Sequence, residues 1–388
     1  MSRLLFISDR FPPDIGGVSR SSQRLVGELA EMGITVDVLT WTQSLEAGEV
    51  ASDRYSDNHD IQVYRVGRHR HWDTTMPHTL NAIAWLQEQK PYDAVWGHYL
   101  FPGGFLAVWL GQNQQIPCTV SVRGNDLERT LFPPGDFSRL QWTLKNADVI
   151  TAVSEDLRKK IEKIVSDQEI FLLKNAVDEK IFTPASDRTG INSLRTQLNI
   201  AENEVVLGFS GELREKKGSK FLLNALHYLR QYRPACLFII GDIRPDEETN
   251  IQKFASQYPD AGNRIIITGH LEDPATIAKY LQICDVYLQP SLWEGMPNAL
   301  LEAMACGCCC IASDAGGIPE IIEHGKDGFL LPRWQLHHLA TAIWEFLELD
   351  ATTRQAISQA ACDRIRQEFS IAAEKQRLQE VLQRLGIA

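Results

Sequence analysis

The sequence predicts an α/β protein made of two doubly wound, parallel-sheet domains, and three observations carry that expectation. Short apolar runs alternate with amphipathic helical stretches along the first half, the order of βαβ units, which require a parallel sheet. The second half repeats the scheme. Between them lies a polar stretch, Val177-Asp-Glu-Lys-Ile-Phe-Thr-Pro-Ala-Ser-Asp-Arg-Thr-Gly190, with the Pro and Gly of a linker. A chain of 388 residues is long enough for two such domains, each burying its own core.

In chain order, strands are expected at residues 4–8, 35–39, 61–66, 94–97, 118–122, 149–153 and 170–173. A second series is expected at 205–210, 237–240, 264–268, 286–289, 309–313 and 328–331. Each is a short run of β-branched, aromatic or aliphatic residues between turn signals. Leu25, Leu29 and Met32 set the apolar face of a helix over residues 19–32, which Gly33 ends. No short-period repeat is visible.

Bulk properties narrow the function. A net charge of −11, shared almost equally by the two halves, disfavours a nucleic-acid surface, which needs a basic field. No apolar run approaches the roughly 18 residues that span a bilayer, and the N-terminal run is too short for a signal peptide, so a cytoplasmic protein is expected. The eight cysteines include Cys306-Gly-Cys-Cys-Cys310. With no second ligand pair and with alternating strand faces, this run reads as a buried strand of small thiols, and no metal site is expected.

The densest signal is Pro290-Ser-Leu-Trp-Glu-Gly-Met-Pro-Asn-Ala-Leu-Leu-Glu-Ala-Met-Ala-Cys-Gly307. A buried strand precedes it, Pro297 suits a helix start, and good helix formers follow from Asn298. Glu294 then stands in the loop above the strand end and Glu302 about one turn into the helix. Two carboxylates there can grip a hydroxyl-rich ligand whose phosphates lie near free backbone N–H groups.

This block resembles the retaining GT-B glycosyltransferases of family four, which carry a Glu-x7-Glu motif. The likeness continues through Ala312-Ser-Asp-Ala-Gly-Gly-Ile-Pro-Glu320 and Asp327-Gly-Phe-Leu-Leu-Pro332. It also covers Asn175-Ala-Val-Asp178 with Phe182 and Pro184, where Ala176 replaces the usual glycine. It implies two Rossmann-like domains facing across a cleft. Residues 1–178 would form the acceptor-side domain, 179–370 the donor-binding domain, and 371–388 a terminal helix crossing back to the first. The resemblance gives Glu302 the ribose hydroxyls and Glu294 those of the transferred sugar, beside the backbone of Gly295, Met296, Pro297 and Asn298. Cys309 replaces a proline of the family pattern.

Other motifs follow strand ends. In Gly208-Phe-Ser-Gly-Glu-Leu-Arg-Glu-Lys-Lys-Gly218, cationic donors would stabilise a departing diphosphate. Lys217 matches the family's lysine. Glu212 stands where its arginine is usual, so Arg214 is expected to supply the missing cation, with Glu212 facing elsewhere or orienting it. Gly211 opens this loop. Gly241-Asp242 and Thr268-Gly269-His270 resemble loops facing the nucleotide. Gly16 and Gly17, in Arg10-Phe-Pro-Pro-Asp-Ile-Gly-Gly-Val-Ser-Arg20, form either a plain turn or the family's glycine loop beside the donor phosphates.

Three first-half features keep two readings each. Arg123, in Ser121-Val-Arg-Gly-Asn-Asp126, replaces a histidine common in relatives. It binds an anionic group or is a structural partner of Asp126. His98, in Gly97-His-Tyr-Leu-Phe-Pro-Gly-Gly104, handles sugar hydroxyls and protons or is structural. The segment Pro102-Gly-Gly104 looks like the lip of an acceptor pocket. The stretch Arg65-Val-Gly-Arg-His-Arg-His-Trp72 is a solvated strand exit or a peripheral contact with the inner face of a membrane.

The expected function is retaining transfer of a sugar from a UDP-, GDP- or ADP-linked donor to a hydroxyl-bearing acceptor. No metal or cofactor is expected. A catalytically silent sugar-nucleotide-binding subunit and a GT-B epimerase are the alternatives. The donor sugar, acceptor and oligomeric state are not encoded legibly.

Overall fold

The computed structural model describes residues 2–55 and 61–387. The chain packs as two compact units, one of Met1–Lys174 with Lys375–Ala388, the other of Asn175–Glu374. The division falls at Lys174/Asn175 and again at Glu374/Lys375, a few residues from the sequence-based boundaries at 178 and 370.

The first unit is built on β1 (Arg3–Ser8), β2 (Thr35–Thr42), β3 (Val50–Arg54), β4 (Gln62–Gly67), β5 (Ala94–His98), β6 (Cys118–Val122), β7 (Val149–Ala152) and β8 (Ile170–Leu172). Their order is β3-β4-β2-β1-β5-β6-β7-β8, with every pair parallel except β3 with β4. The central strands are buried on both faces and read as continuous apolar runs, which is why the sequence located them. Strand β3 was not expected. Its residues Val-Ala-Ser-Asp-Arg are mostly exposed, so no apolar pattern marks them, and only antiparallel pairing with β4 makes them a strand.

The helix Gly17–Glu31 follows β1 and presents Leu25, Val26 and Leu29 to the sheet. Gly33, at φ 87°, turns the chain into β2. The final helix, Ile371–Leu385, sends Leu378, Val381, Leu382 and Leu385 into the same core as Leu4, Phe6 and Leu29. Lys375 on that helix pairs with Glu31.

The second unit is a fully parallel sheet of β9 (Val205–Ser210), β10 (Ala235–Ile240), β11 (Ile265–Ile267), β12 (Val286–Gln289), β13 (Cys310–Ser313) and β14 (Phe329–Leu331), in the order β11-β10-β9-β12-β13-β14. Leu207, Phe209, Leu237, Ile239 and Leu288 meet Leu222, Leu226 and Leu229 of the helix Ser219–Arg230, with Ile343 and Phe346 of the helix Leu339–Leu347. All eight cysteines are buried and free. The sulfurs of Cys308, Cys309 and Cys310 turn to three different carbonyls, those of Leu281, Arg354 and Cys308.

Leu378 is fully buried, although it lies within eleven residues of the C-terminus. Leu378→Ala should lower unfolding stability by about 2–5 kcal/mol, read from the urea midpoint. A change under about 0.5 kcal/mol would mean that the terminal helix does not anchor the first core.

Candidate active site

In the second unit the connections run outward from the centre in both directions, from β9 through β10 to β11 and from β12 through β13 to β14. Strands β9 and β12 therefore lie side by side at the point where the order reverses, the position at which open α/β sheets bind ligands beyond the carboxyl ends of their strands. The loop after β9 carries Arg214 and Lys217. The loop after β12 carries Glu294.

These loops are held close. A Cβ on Gly218, at φ 78°, would lie 2.1 Å from the Pro290 carbonyl oxygen, so only glycine fits. The Leu292 N–H donates to the Lys216 carbonyl at 2.8 Å. From the other side, the Gly317 N–H donates to the Gly295 carbonyl at 2.8 Å, and Ser313 Oγ donates to the Ser291 carbonyl at 2.5 Å.

The Glu294 side chain is 8% exposed and receives Lys217 Nζ on its Oε1. Ser291 Oγ donates to the same oxygen at 2.8 Å and Gln289 Nε2 at 3.2 Å. Burial pushes this carboxyl up, but Lys217 and then Lys216 more than offset it, so its pKa lies below the usual glutamate value. Glu294 is thus a buried, charged acceptor. Glu302 is the fifth residue of the helix Asn298–Ala305 and is also buried. Pro297 stands just before that helix at φ −75°, and no side chain caps its start, which leaves its first N–H groups for a ligand. Asn298 Oδ1, at the helix start, is buried without a hydrogen-bond partner.

Three glycine turns extend the rim. Gly211 (φ 114°) donates its N–H to the Ile240 carbonyl, and a Cβ on Gly241 would lie 2.5 Å from the Gly211 oxygen. The Gly241 N–H donates to Thr268 Oγ1 at 3.0 Å, and that hydroxyl donates to the Gly269 carbonyl at 2.8 Å. Arg214 pairs with Glu212, so of the two expectations for Glu212 it is orientation of Arg214 that the geometry matches. Glu212 also receives Arg244 Nε at 3.1 Å.

In the first unit, Gly16 (φ 128°) precedes the helix Gly17–Glu31, and no side chain caps that end. A Cβ on either glycine would meet nothing within 4 Å, so packing demands neither, and only Gly16 is demanded by its φ. His98 is corrected in its placement: it shows no exposed surface. Its ring stacks on Phe6 at 5.4 Å, and Nε2 lies 3.0 Å from Ser21 Oγ. Burial, then Arg123 and Arg24, hold its pKa well below 6.5, so it is a neutral core histidine with no edge open to a ligand. The link between Arg123 and Asp126 runs through the backbone. The Arg123 N–H donates to both Asp126 oxygens at 3.1 Å, joined by the N–H groups of Gly124 at 2.7 Å and Leu100 at 3.1 Å. Asp126 thereby ties together the loops after β5 and β6.

Much of the basic stretch 65–72 has internal partners. Arg65 reaches Asp53 and the Pro12 carbonyl, Arg68 lies over the Trp72 ring, and His69 stacks on His78. No described helix is long and apolar enough to cross a membrane. Sequence reasoning missed Gln289, Ser291 and Arg244. Ser291 sits within the motif block and Gln289 directly before it, so both were findable; Arg244 needed the folded chain.

The family of group 1 glycosyl transferases matches residues 191–364, and the glycosyl transferase 4-like domain matches residues 16–175. The N-acetyl-alpha-D-glucosaminyl L-malate synthase of Bacillus anthracis is 25% identical over 321 residues, 82% of this chain and 81% of its own. The D-inositol 3-phosphate glycosyltransferase of Paenarthrobacter aurescens is 24% identical, over 90% of this chain and 88% of its own. In fold, the chain matches sucrose-phosphate synthase from Thermosynechococcus elongatus with a TM-score of 0.83 at 20% identity, covering 100% and 99% of the two chains. It matches Anabaena HepE, solved in complex with UDP-glucose, at 0.79 and 20% identity, covering 99% and 100%.

A carboxyl held below its unfolded pKa adds stability above that value, and the gain disappears as acid protonates it, below pH ~4. Lys217→Met removes the main offset and leaves burial to push the Glu294 carboxyl up. Its carbon-13 carboxyl titration should move to higher pH, and the variant, less stable than the parent at neutral pH, should regain thermal stability through this group on acidification where the parent loses it. An unmoved titration would show that Lys217 does not set the charge of Glu294.

Proposed function

We propose that this chain, which has the GT-B fold and belongs to the group 1 glycosyl transferases, moves a sugar from a nucleotide-sugar donor to an acceptor hydroxyl with retention of configuration. The observation that carries the donor reading is the charged Glu294–Lys217 pair at the switch point of the second sheet, beside an uncapped helix start. HepE, of the same fold, was solved with UDP-glucose, which supports a donor of this class.

In the proposed reaction, Glu302 binds the ribose hydroxyls and Glu294 those of the sugar. The bond between the anomeric carbon and the β-phosphate oxygen breaks, and the electron pair leaves with the diphosphate. Lys217, Arg214 and backbone N–H groups near Gly211 and Asn298 meet that charge. The acceptor oxygen bonds to the anomeric carbon on the face the diphosphate leaves, and its proton passes to the departing phosphate. The reading needs no metal or bound cofactor, because the cations and helix end stand at the leaving group. It places the protein in the cytoplasm, where nucleotide sugars would reach it.

Incubation with UDP-, GDP- and ADP-glucose without acceptor tests this. Slow release of nucleoside diphosphate and free sugar from one donor is expected. Arg214→Ala and Lys217→Ala should each reduce it ~10²-fold or more; Lys217→Ala should also lower stability, because it leaves buried Glu294 without its main partner. Tight donor binding with no release, with or without hydroxyl acceptors, would mark a silent binding subunit. An isomerised nucleotide sugar would mark an epimerase.

A further inference from the structure

The first unit contains a pocket of about 430 Å³ that the donor site does not use. Its walls come from segments that follow the carboxyl ends of β4, β5 and β6: Trp72 and Asp73, then Phe101, then Thr130, Asp136 and Arg139. That is the side of a doubly wound sheet on which ligands bind, and the volume lies in the range of small-molecule pockets.

The chemistry of the walls is selective. The rings of Trp72 and Phe101 meet edge to face at 5.8 Å and 78°, forming an aromatic corner that suits an apolar C–H surface. The polar groups are mostly acceptors. Asp73 and Asp136 are carboxylates, and the Thr130 hydroxyl spends its proton on the Asp126 carbonyl at 2.8 Å, leaving lone pairs for a ligand. Arg139, the one cation among the described wall residues, is engaged: its guanidinium lies over the Phe101 ring at 4.4 Å, with Nη1 3.6 Å from Asp136 Oδ1. Two carboxylates against one paired guanidinium leave the pocket net negative. A ligand with several hydroxyls supplies the donors these walls lack, whereas a phosphate or carboxylate only accepts and meets like charge.

We propose that this pocket is the acceptor subsite of the transferase and takes a neutral carbohydrate ring, stacked in the Trp72–Phe101 corner with its hydroxyls donating to Asp73 and Asp136. The inference rests on the transferase reading for the word acceptor, but not for the binding itself.

Saturation-transfer NMR of the whole protein without donor tests it, using the methyl glycosides of glucose, galactose, mannose and N-acetylglucosamine beside glucose 6-phosphate. At least one neutral glycoside should bind, and glucose 6-phosphate should bind at least tenfold more weakly than the best of them. Trp72→Ala should weaken that glycoside at least tenfold. Asp136→Asn, which keeps the shape of the side chain, provides a second variant and should weaken it several-fold. No binding by any glycoside, preference for the phosphate, or unchanged affinity in folded samples of both variants would overturn the proposal. Because no donor is present, this outcome is separate from that of the transferase reading, which donor turnover by the unaltered protein decides.

Discussion

The second unit is organised around one buried charge. A carboxylate as enclosed as Glu294 must be ionised and paired or else protonated, and leaving it unpaired costs several kcal/mol. Lys217 supplies the partner from a loop on the neighbouring strand, so the β9 and β12 loops must stay in contact. That demand explains the glycine at 218, where a Cβ would meet the Pro290 carbonyl, and the one at 316, where it would lie 1.8 Å from the backbone carbonyl oxygen of Glu294. With the loop fixed from both sides, the helix from Asn298 starts in one place, and Glu302 follows one turn later.

Such a pair is poor value for stability alone, since well-packed apolar groups often do as well. Under the proposed reaction it makes sense as preorganisation: an acceptor for hydroxyls and a donor for phosphate, set in place before the ligand arrives. The same logic applies to Glu212. An acid where a cation is usual would oppose a diphosphate if it faced one alone. Here it is shared between Arg214 and Arg244, so the local group carries two cations to one anion.

The sheets were legible because their strands are buried on both faces and read as unbroken apolar runs between glycine and proline turns. Strand β3 was not, since its exposed residues become a strand only through pairing. Glu294, Glu302 and Lys217 were legible because a strand end followed by a helix start fixes where their side chains begin. His98 kept two readings under the same rule. It also ends a strand, but its ring turns inward against Phe6, and sequence does not say which way a single side chain at a strand end points. The acceptor-rich pocket draws on segments more than sixty residues apart, from Trp72 to Arg139, and was foreshadowed only by the expected lip near Pro102.

The central claim is that the loops after β9 and β12 and the helix start at Asn298 together hold a sugar nucleotide. Hydrogen–deuterium exchange at saturation with the tightest-binding of UDP-, GDP- and ADP-glucose addresses it most directly. Slowed exchange should be concentrated at residues 211–218 and 294–302 and not spread evenly along the chain. Bound donor with unchanged exchange in both loops would contradict the account.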